Sequence, residues 1–369
     1  MTSPPIFVCH GCGARVDALA ALPFRCPAAG ADDVDHLLVP VDEDSAVIDA
    51  AAGNPFLRYR RLLSPYRAAR AAGLSDAAWC EIAGRLDEAL AKVDGAGFHI
   101  TPMALRPELA QAIGFGGALW VKDETGSVGA SHKARHLMGV MLYLRVIAAA
   151  RLPVGAGLEK RRLAIASCGN AALAAAVIAR AADWPLDVFI PPDAAAPVVN
   201  RLRELGAKIN VCERRANEAG DPCFLRFREA VAAGAIPFGV QGPENGLAVE
   251  GARTLAFEMS EAFAAANAAP GALFVQVGGG ALASALAQGF ALAAKTGLIA
   301  RAPRLYAVQT SACAPLDRAW RALAGVAPSD AARRRSRYMR PWETAPHSIA
   351  HGILDDETYD WLEIVRAMR

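Results

Sequence analysis

The chain carries almost no net charge: 39 Lys and Arg against 37 Asp and Glu leave +2 over 369 residues. That balance supplies no global field to draw in nucleic acid or an anionic membrane. The basic cluster Arg333 to Arg337 is short and reads as a solvated loop. A disulfide framework is missing too. Eight cysteines (9, 12, 26, 80, 168, 212, 223 and 313) are scattered through a long chain, which suits reduced thiols in a cytoplasm. The start, Met1-Thr-Ser-Pro-Pro, lacks the basic residues and apolar run of a signal peptide. One uncharged run, Gly271 to Ala294, is long enough to span a bilayer. It contains Gln276, Gly278-Gly279-Gly280 and Gln288, so a strand, a glycine turn and an Ala-rich helix are expected instead. No internal repeat and no long low-complexity linker stands out. The expectation is a soluble cytoplasmic protein without a nucleic-acid or membrane partner.

At this length, two or three compact units with a large core are expected. Residues 1–45 read as a separate small element with paired cysteines. Asn54 to Arg61 looks like an extended arm. Ser75 to Val93 has helical apolar spacing (Ala78, Ile82, Leu86, Leu90), with Ser75 as N-cap. From Leu163 onward, short apolar strands alternate with Ala-rich helices. The strands are expected at Leu163–Ser167, Leu186–Ile190, Lys208–Val211, Leu273–Val277 and Arg304–Val308. Helices are expected from about Ala171, near Val198–Leu205 and from Leu282. Such alternation implies right-handed βαβ crossovers and parallel sheets, with ligands beyond the carboxyl ends of the strands.

Three strand-to-helix turns carry the chemistry. In the first, Ala118–Val121 feeds a Gly/Ser-rich turn, and Lys133 stands where a helical pattern begins. A lysine in such a crevice sheds solvation and offers a neutral amine, as Schiff-base chemistry requires; standing alone it would read as a surface residue. In the second, Gly278-Gly279-Gly280-Ala281 is either a phosphate cradle or a packing turn that needs small residues. It is not a Gly-x-Gly-x-x-Gly motif, since position 283 is Ala, and no Lys-Ser/Thr follows. In the third, Ser167-Cys168-Gly169-Asn170 offers either an N-cap (Ser167 or Asn170) or N–H groups for a substrate carboxylate. Separately, Cys9-x-x-Cys12 with Cys26 looks like half a zinc ribbon whose fourth position is Ala29. His36, or His10, would complete a Cys₃His set; the alternative is a knuckle without metal.

Together and in this order, the three turns resemble the fold-type II pyridoxal-phosphate enzymes, the tryptophan synthase β / threonine synthase / threonine dehydratase superfamily. The likeness runs from Thr101-Pro102 to Val308. It includes Lys122-Asp-Glu124, Pro191-Pro-Asp193, Leu205-Gly-Ala207, Glu250-Gly251-x-x-Thr254 and the glycine triplet. Ser131-His132-Lys133 is similar to the tryptophan-synthase-β form, whereas the amino-terminal cysteines and the layout resemble threonine synthase. The resemblance implies an α/β fold of two doubly wound parallel-sheet domains with the cofactor cleft between them, preceded by a zinc-ribbon-like element (1–45). The smaller domain would span 127–250 and the larger would combine 46–126 with 251–369.

By the same resemblance, Lys133 forms a Schiff base with pyridoxal 5'-phosphate, and Asn170 bonds the ring hydroxyl oxygen. Gly278, Gly279, Gly280 and Ala281 bind the phosphate, and Ser167, Cys168 and Gly169 hold the substrate carboxylate. A substrate amine would displace Lys133, and the freed amine would remove the α-proton. The implied activity is a lyase or β/γ-replacement on a small amino acid, in a homodimer. His132 and His136 flank the lysine and either assist proton traffic or only pack. The family usually faces the pyridine nitrogen with a Ser or Thr near the carboxyl end. Here Thr310 and Ser311 are the substitutes, and the last residues form an amphipathic helix (Tyr359, Leu362, Val365, Met368). Part of the larger domain is therefore expected to be missing, leaving an apolar face uncovered. Three alternatives remain. Authentic threonine synthase would need a second anion site for phosphohomoserine. A non-catalytic paralogue would keep the fold for a binding or regulatory role. A dinucleotide dehydrogenase would need an acidic residue where Arg304 to Gln309 stands.

Overall fold

The computed structural model describes residues 3–43, 47–216, 218, 220–343 and 348–369. Strands β1 (Ile6–Cys9), β2 (Arg15–Asp17) and β3 (Leu38–Pro40) form a small antiparallel sheet in the order β2-β1-β3. The boundary expected at residues 45–46 lies outside the described residues. Helices α1 (Pro55–Arg58), α2 (Ser64–Ala71) and α3 (Asp76–Asp94) follow. The arm expected at Asn54–Arg61 is therefore helical. Asn54 accepts a hydrogen bond from the Phe56 N–H at 2.8 Å, and Pro55 takes the first helical position, where its missing N–H costs nothing.

Helix α3 starts as expected, with the Ser75 hydroxyl accepting from the Ala78 N–H at 3.0 Å, and it stops at Gly95 in the left-handed region. Its buried stripe is Trp79, Ala83, Leu86 and Leu90; Ala78 and Ile82 are only half-buried because the larger indole takes the core.

Strand β4 (Met103–Leu105), α4 (Pro107–Ala112) and β5 (Trp120–Lys122) come next, with β4 and β5 antiparallel. Helix α5 (Lys133–Ala149) is buried around almost its whole circumference, which explains its lack of an amphipathic stripe. A parallel sheet in the order β8-β7-β6-β9 is built from β6 (Leu163–Ala166), α6 (Asn170–Ala181), β7 (Leu186–Ile190), α7 (Ala196–Glu204), β8 (Lys208–Val211), α8 (Pro222–Ala232) and β9 (Ile236–Pro237).

After α9 (Arg253–Ala265), a second parallel pair follows: β10 (Ala272–Gln276), α10 (Ala281–Lys295) and β11 (Arg304–Val308). Helices α11 (Pro315–Ala322), α12 (Pro328–Ala332), α13 (Arg335–Tyr338) and α14 (Trp361–Met368) come last. The run Gly271–Ala294 thus divides into strand, turn and helix. Among the described residues no single helix is long and apolar enough to cross a membrane. One face of the β10–β11 pair stays open, with Phe274 and Tyr306 exposed and stacked at 4.9 Å.

Candidate active site

Lys133 is the first residue of α5, half-buried, behind a turn in which Gly129 (φ 66) and Ala130 (φ 53) both adopt left-handed backbone. Ala130 is unusual there, since a Cβ makes that region unfavourable. The turn is held by charge. The Arg135 side chain, fully buried, donates to Glu258 Oε1 at 2.5 Å and to both Glu124 oxygens at 2.7 and 3.0 Å. Glu258 also receives the Lys122 ammonium at 2.5 Å and the Thr101 N–H at 3.2 Å. The Thr101, Lys122 and Glu124 positions noted in the sequence are thus parts of one buried network around Arg135.

Glu250-Gly251-x-x-Thr254 serves the same helix. A Cβ at Gly251 would strike the Arg135 carbonyl and lie 3.1 Å from the Gly139 nitrogen, so only glycine lets the chain pass α5 so closely. Thr254 Oγ1 accepts from Arg135 at 3.1 Å.

The glycine turn ends β10 and opens α10. Gly280 is the N-cap with φ 95, a conformation that favours glycine, and no side chain caps the helix. The first-turn N–H groups of α10 are therefore available to an anion. The Gly279 N–H donates to the carboxylate of Asp355, and the same carboxylate interacts electrostatically with the Lys133 amine and with the Cys168 thiol. Asp355 thus marks the point where the three turns meet.

At Ser167–Asn170, neither Ser167 nor Asn170 is the N-cap. Gly169 takes that position without a side-chain bond, and Asn170 is the first helical residue. This corrects the ordinary capping reading: the Ser167 hydroxyl faces the Gly169 N–H only at 3.4 Å, and the N-terminus of α6 stays open. Cys168 and Asn170 are exposed, so this side of the site is the one open to solvent.

Burial lowers the proton affinity of Lys133 below the usual lysine range; Asp355 and Asp360 oppose the shift. Desolvation likewise raises Asp355, against Lys133 and the Gly279 N–H, and raises Asp360 to about 8 against the Gly242 N–H. Burial first, and the Lys133 charge next, push His136 down to about 3 and His132 well below its usual range. Both imidazoles are therefore neutral near pH 7 and supply no proton there. His136 Nδ1 meets the Ala248 carbonyl at 2.7 Å, a packing role. Ser131 Oγ, His132 Nε2 and Asp360 Oδ1 are buried without a protein partner. An amine, uncapped helix N-termini and orphaned polar atoms around it form a donor set that fits a phosphorylated aldehyde.

Of Thr310 and Ser311, the candidate substitutes for the ring-nitrogen partner, the first is engaged elsewhere and the second is exposed to solvent. Thr310 Oγ1 donates to the Cys313 carbonyl at 3.4 Å. Sequence reading did not single out Asp355, Asp360, Arg135 or Glu258. The acidic run Asp355-Asp356-Glu357 was visible, but nothing local connects it to a glycine turn.

A second cluster lies in the amino-terminal sheet. Cys9, Cys12, Cys26 and His36 bring one ligand atom each within 4.8 Å of one another. Cys12 Sγ and Cys26 Sγ are 3.6 Å apart, as are Cys9 Sγ and His36 Nδ1. His10 is engaged elsewhere, 2.6 Å from Glu363.

Residues 96–367 match the family model described as pyridoxal-phosphate dependent enzyme. The chain belongs to that family, whose fold-type II members bind pyridoxal phosphate. Solved structures agree on the fold. The processed form of threonine deaminase isoform 2 from Solanum lycopersicum is 16% identical with a TM-score of 0.53, covering 79% of this chain and 74% of that one. Maize serine racemase is 18% identical with a TM-score of 0.53 (76% and 74% covered). Diaminopropionate ammonia lyase from Escherichia coli, in complex with D-serine, is 18% identical with a TM-score of 0.53 (78% and 69% covered). No curated protein sequence matches the chain significantly.

Proposed function

We propose that the chain is a pyridoxal-phosphate-dependent lyase acting on a small amino acid, with Lys133 as the attachment point. The observation that carries this reading is the shared partner of Lys133 and Gly279: the amine and the glycine turn address one anion, Asp355. Bound there, the cofactor supplies an electron-poor ring that disperses negative charge at the substrate α carbon. Gly278, Gly279, Gly280 and Ala281 hold its phosphate, and the Asn170 amide bonds its ring hydroxyl. The loop Ser167, Cys168 and Gly169, with the open α6 N-terminus, holds the substrate carboxylate. Lys133, depleted of solvent and inclined to the neutral form, takes the α-proton.

Two doubly wound domains, 127–250 and 46–126 with 251–369, are the proposed layout; the two parallel sheets support it, although Phe56, Trp79, Leu86 and Phe98 pack into the core of the first sheet rather than the second. The protein acts in the cytoplasm as a homodimer. Purified protein should show a visible band with pyridoxal phosphate, and borohydride should fix the label on the peptide containing Lys133. A colourless protein, or a label elsewhere, sinks the assignment. Serine, threonine, diaminopropionate and phosphohomoserine, tested for keto-acid, ammonia or phosphate release, then separate the substrate classes.

The amino-terminal cluster is proposed to hold one structural zinc. Tetrahedral zinc with bonds of about 2.0–2.3 Å places its ligands about 3.5–3.8 Å apart, which the 3.6 Å separations match. His36 Nε2 lies 3.2 Å from both Asp32 oxygens, the outer partner that orients a metal-binding imidazole. Metal analysis should return one zinc per chain, lost in Cys26→Ser and held roughly 10- to 100-fold more weakly in Asp32→Ala. Metal-free protein with unchanged thermal stability after chelation would refute it.

A further inference from the structure

The glycine turn that fits a phosphate is already covered by this chain's own segment 353–360. A Cβ on Gly278 would lie 2.5 Å from Asp355 Oδ2 and 3.0 Å from the Ile353 Cα; one on Gly279 would lie 3.0 Å from the Tyr359 ring and 3.3 Å from the same carboxylate. Thr358 Oγ1 donates to the Gly278 carbonyl at 3.1 Å, and the Asp360 N–H donates to the Gly279 carbonyl at 3.0 Å. Cys313 Sγ sits 3.2 Å from the Asp355 carbonyl. A phosphate on the Gly278 and Gly279 amides would meet the Asp355 carboxylate in the same space.

We propose that Asp355 is a built-in occupant of the phosphate cradle, and that the stretch Ile353–Asp356 must swing away for the cofactor to enter. This rests on the reading of the glycine turn as the cofactor's anion site. A carboxylate is a fitting stand-in, since it accepts from the Gly279 N–H and faces the same helix N-terminus. It is also replaceable, because it carries one charge where a phosphate carries close to two. The stretch is built to move at one end only. Thr358 and Asp360 are fully buried and α14 behind them is packed, whereas Ile349 to Gly352 are exposed. Gly352 has no neighbour within 4 Å of its missing Cβ, so the backbone can turn there without a clash. Among the described residues, the movable part is held at Asp355, through the Gly279 N–H and Cys313 Sγ, and at Asp356, whose carbonyl accepts from the Trp342 N–H at 2.9 Å; the Arg335–Glu357 ion pair lies on the anchored side. The device is self-inhibition: the site stays shut until a phosphorylated ligand competes for the glycine amides.

Calorimetric titration of wild type, Asp355→Ala and Asp355→Asn with inorganic phosphate and with pyridoxal 5'-phosphate tests this. Both variants should bind both ligands about tenfold tighter, the gain expected where the open form is roughly a tenth of the population. In wild type, either ligand should speed chymotryptic cleavage after Leu354, read by mass spectrometry. The Asn variant keeps the side-chain shape, and the cleavage assay needs no substitution, so misfolding of the Ala variant leaves the test intact. Unchanged or weaker affinity in both variants, absence of binding throughout, or ligand protection at Leu354 overturns the proposal. Tighter phosphate binding without a reducible label at Lys133 keeps the occupant and removes the enzyme reading. A normal label with unaltered affinity and cleavage does the reverse.

Discussion

Lys133→Ala protein should take up no borohydride-fixable label and should turn over any accepted amino acid at least about a thousandfold more slowly than wild type. The substitution removes both the covalent attachment and the base, two roles of one nitrogen. Pyridoxal phosphate should still bind through the glycine turn, so loss of the label without loss of all affinity is the diagnostic pair. Folding should change little. The amine is not part of the Arg135 network, and deleting a desolvated lysine relieves a burial penalty. Added primary amines should restore some turnover where the vacated space admits them. A variant that keeps its label and its rate would mean that another residue carries the chemistry.

The largest stability effect is expected at Glu258. Glu258→Gln leaves Arg135 and Lys122 facing an uncharged amide, with the Arg135 and Glu258 side chains both fully buried. Removing one partner of such a cluster typically costs about 3–5 kcal/mol, because the remaining charges stay desolvated. Urea titration should show a large fall in the unfolding midpoint. Breaking the exposed Arg85–Glu81 pair with Glu81→Gln should hardly move it. The variant should also attach pyridoxal phosphate poorly, since Arg135 anchors the first turn of α5 and thereby aims Lys133. A midpoint within experimental error of wild type would show that the network is not what holds the lysine turn.

The strands were legible because each is a short apolar run bounded by turn residues: Leu186–Ile190, Lys208–Val211 and Arg304–Val308 appear with the bounds expected from the sequence. Asn54–Arg61 was not, since Asn-Pro suits both an extended arm and a capped helix, and only the Phe56 N–H decides between them. Lys133 and the glycine triplet stood out through residue type and order. Arg135 and Glu258 did not, because their partnership spans 123 positions and no local pattern reports it. The same holds for Asp355. An acidic run before a helix is ordinary in a sequence, and only the packing of the segment brings it onto Gly279.

The amino-terminal knuckle is fastened to residues far along the chain. His10 meets Glu363, Arg366 donates to the His10 carbonyl at 3.1 Å, and Asp35 lies 3.3 Å from Arg335. During synthesis, residues 9–36 leave the ribosome long before these partners, although Tyr143, which donates to the Ala18 carbonyl, and Gly246, whose N–H donates to the Phe24 carbonyl at 2.9 Å, arrive sooner. The packing of the knuckle is therefore completed only late in translation, and its thiols are less protected until then. Early capture of a metal ion would shield those thiols, so nascent chains should be most vulnerable to oxidation where free zinc is scarce.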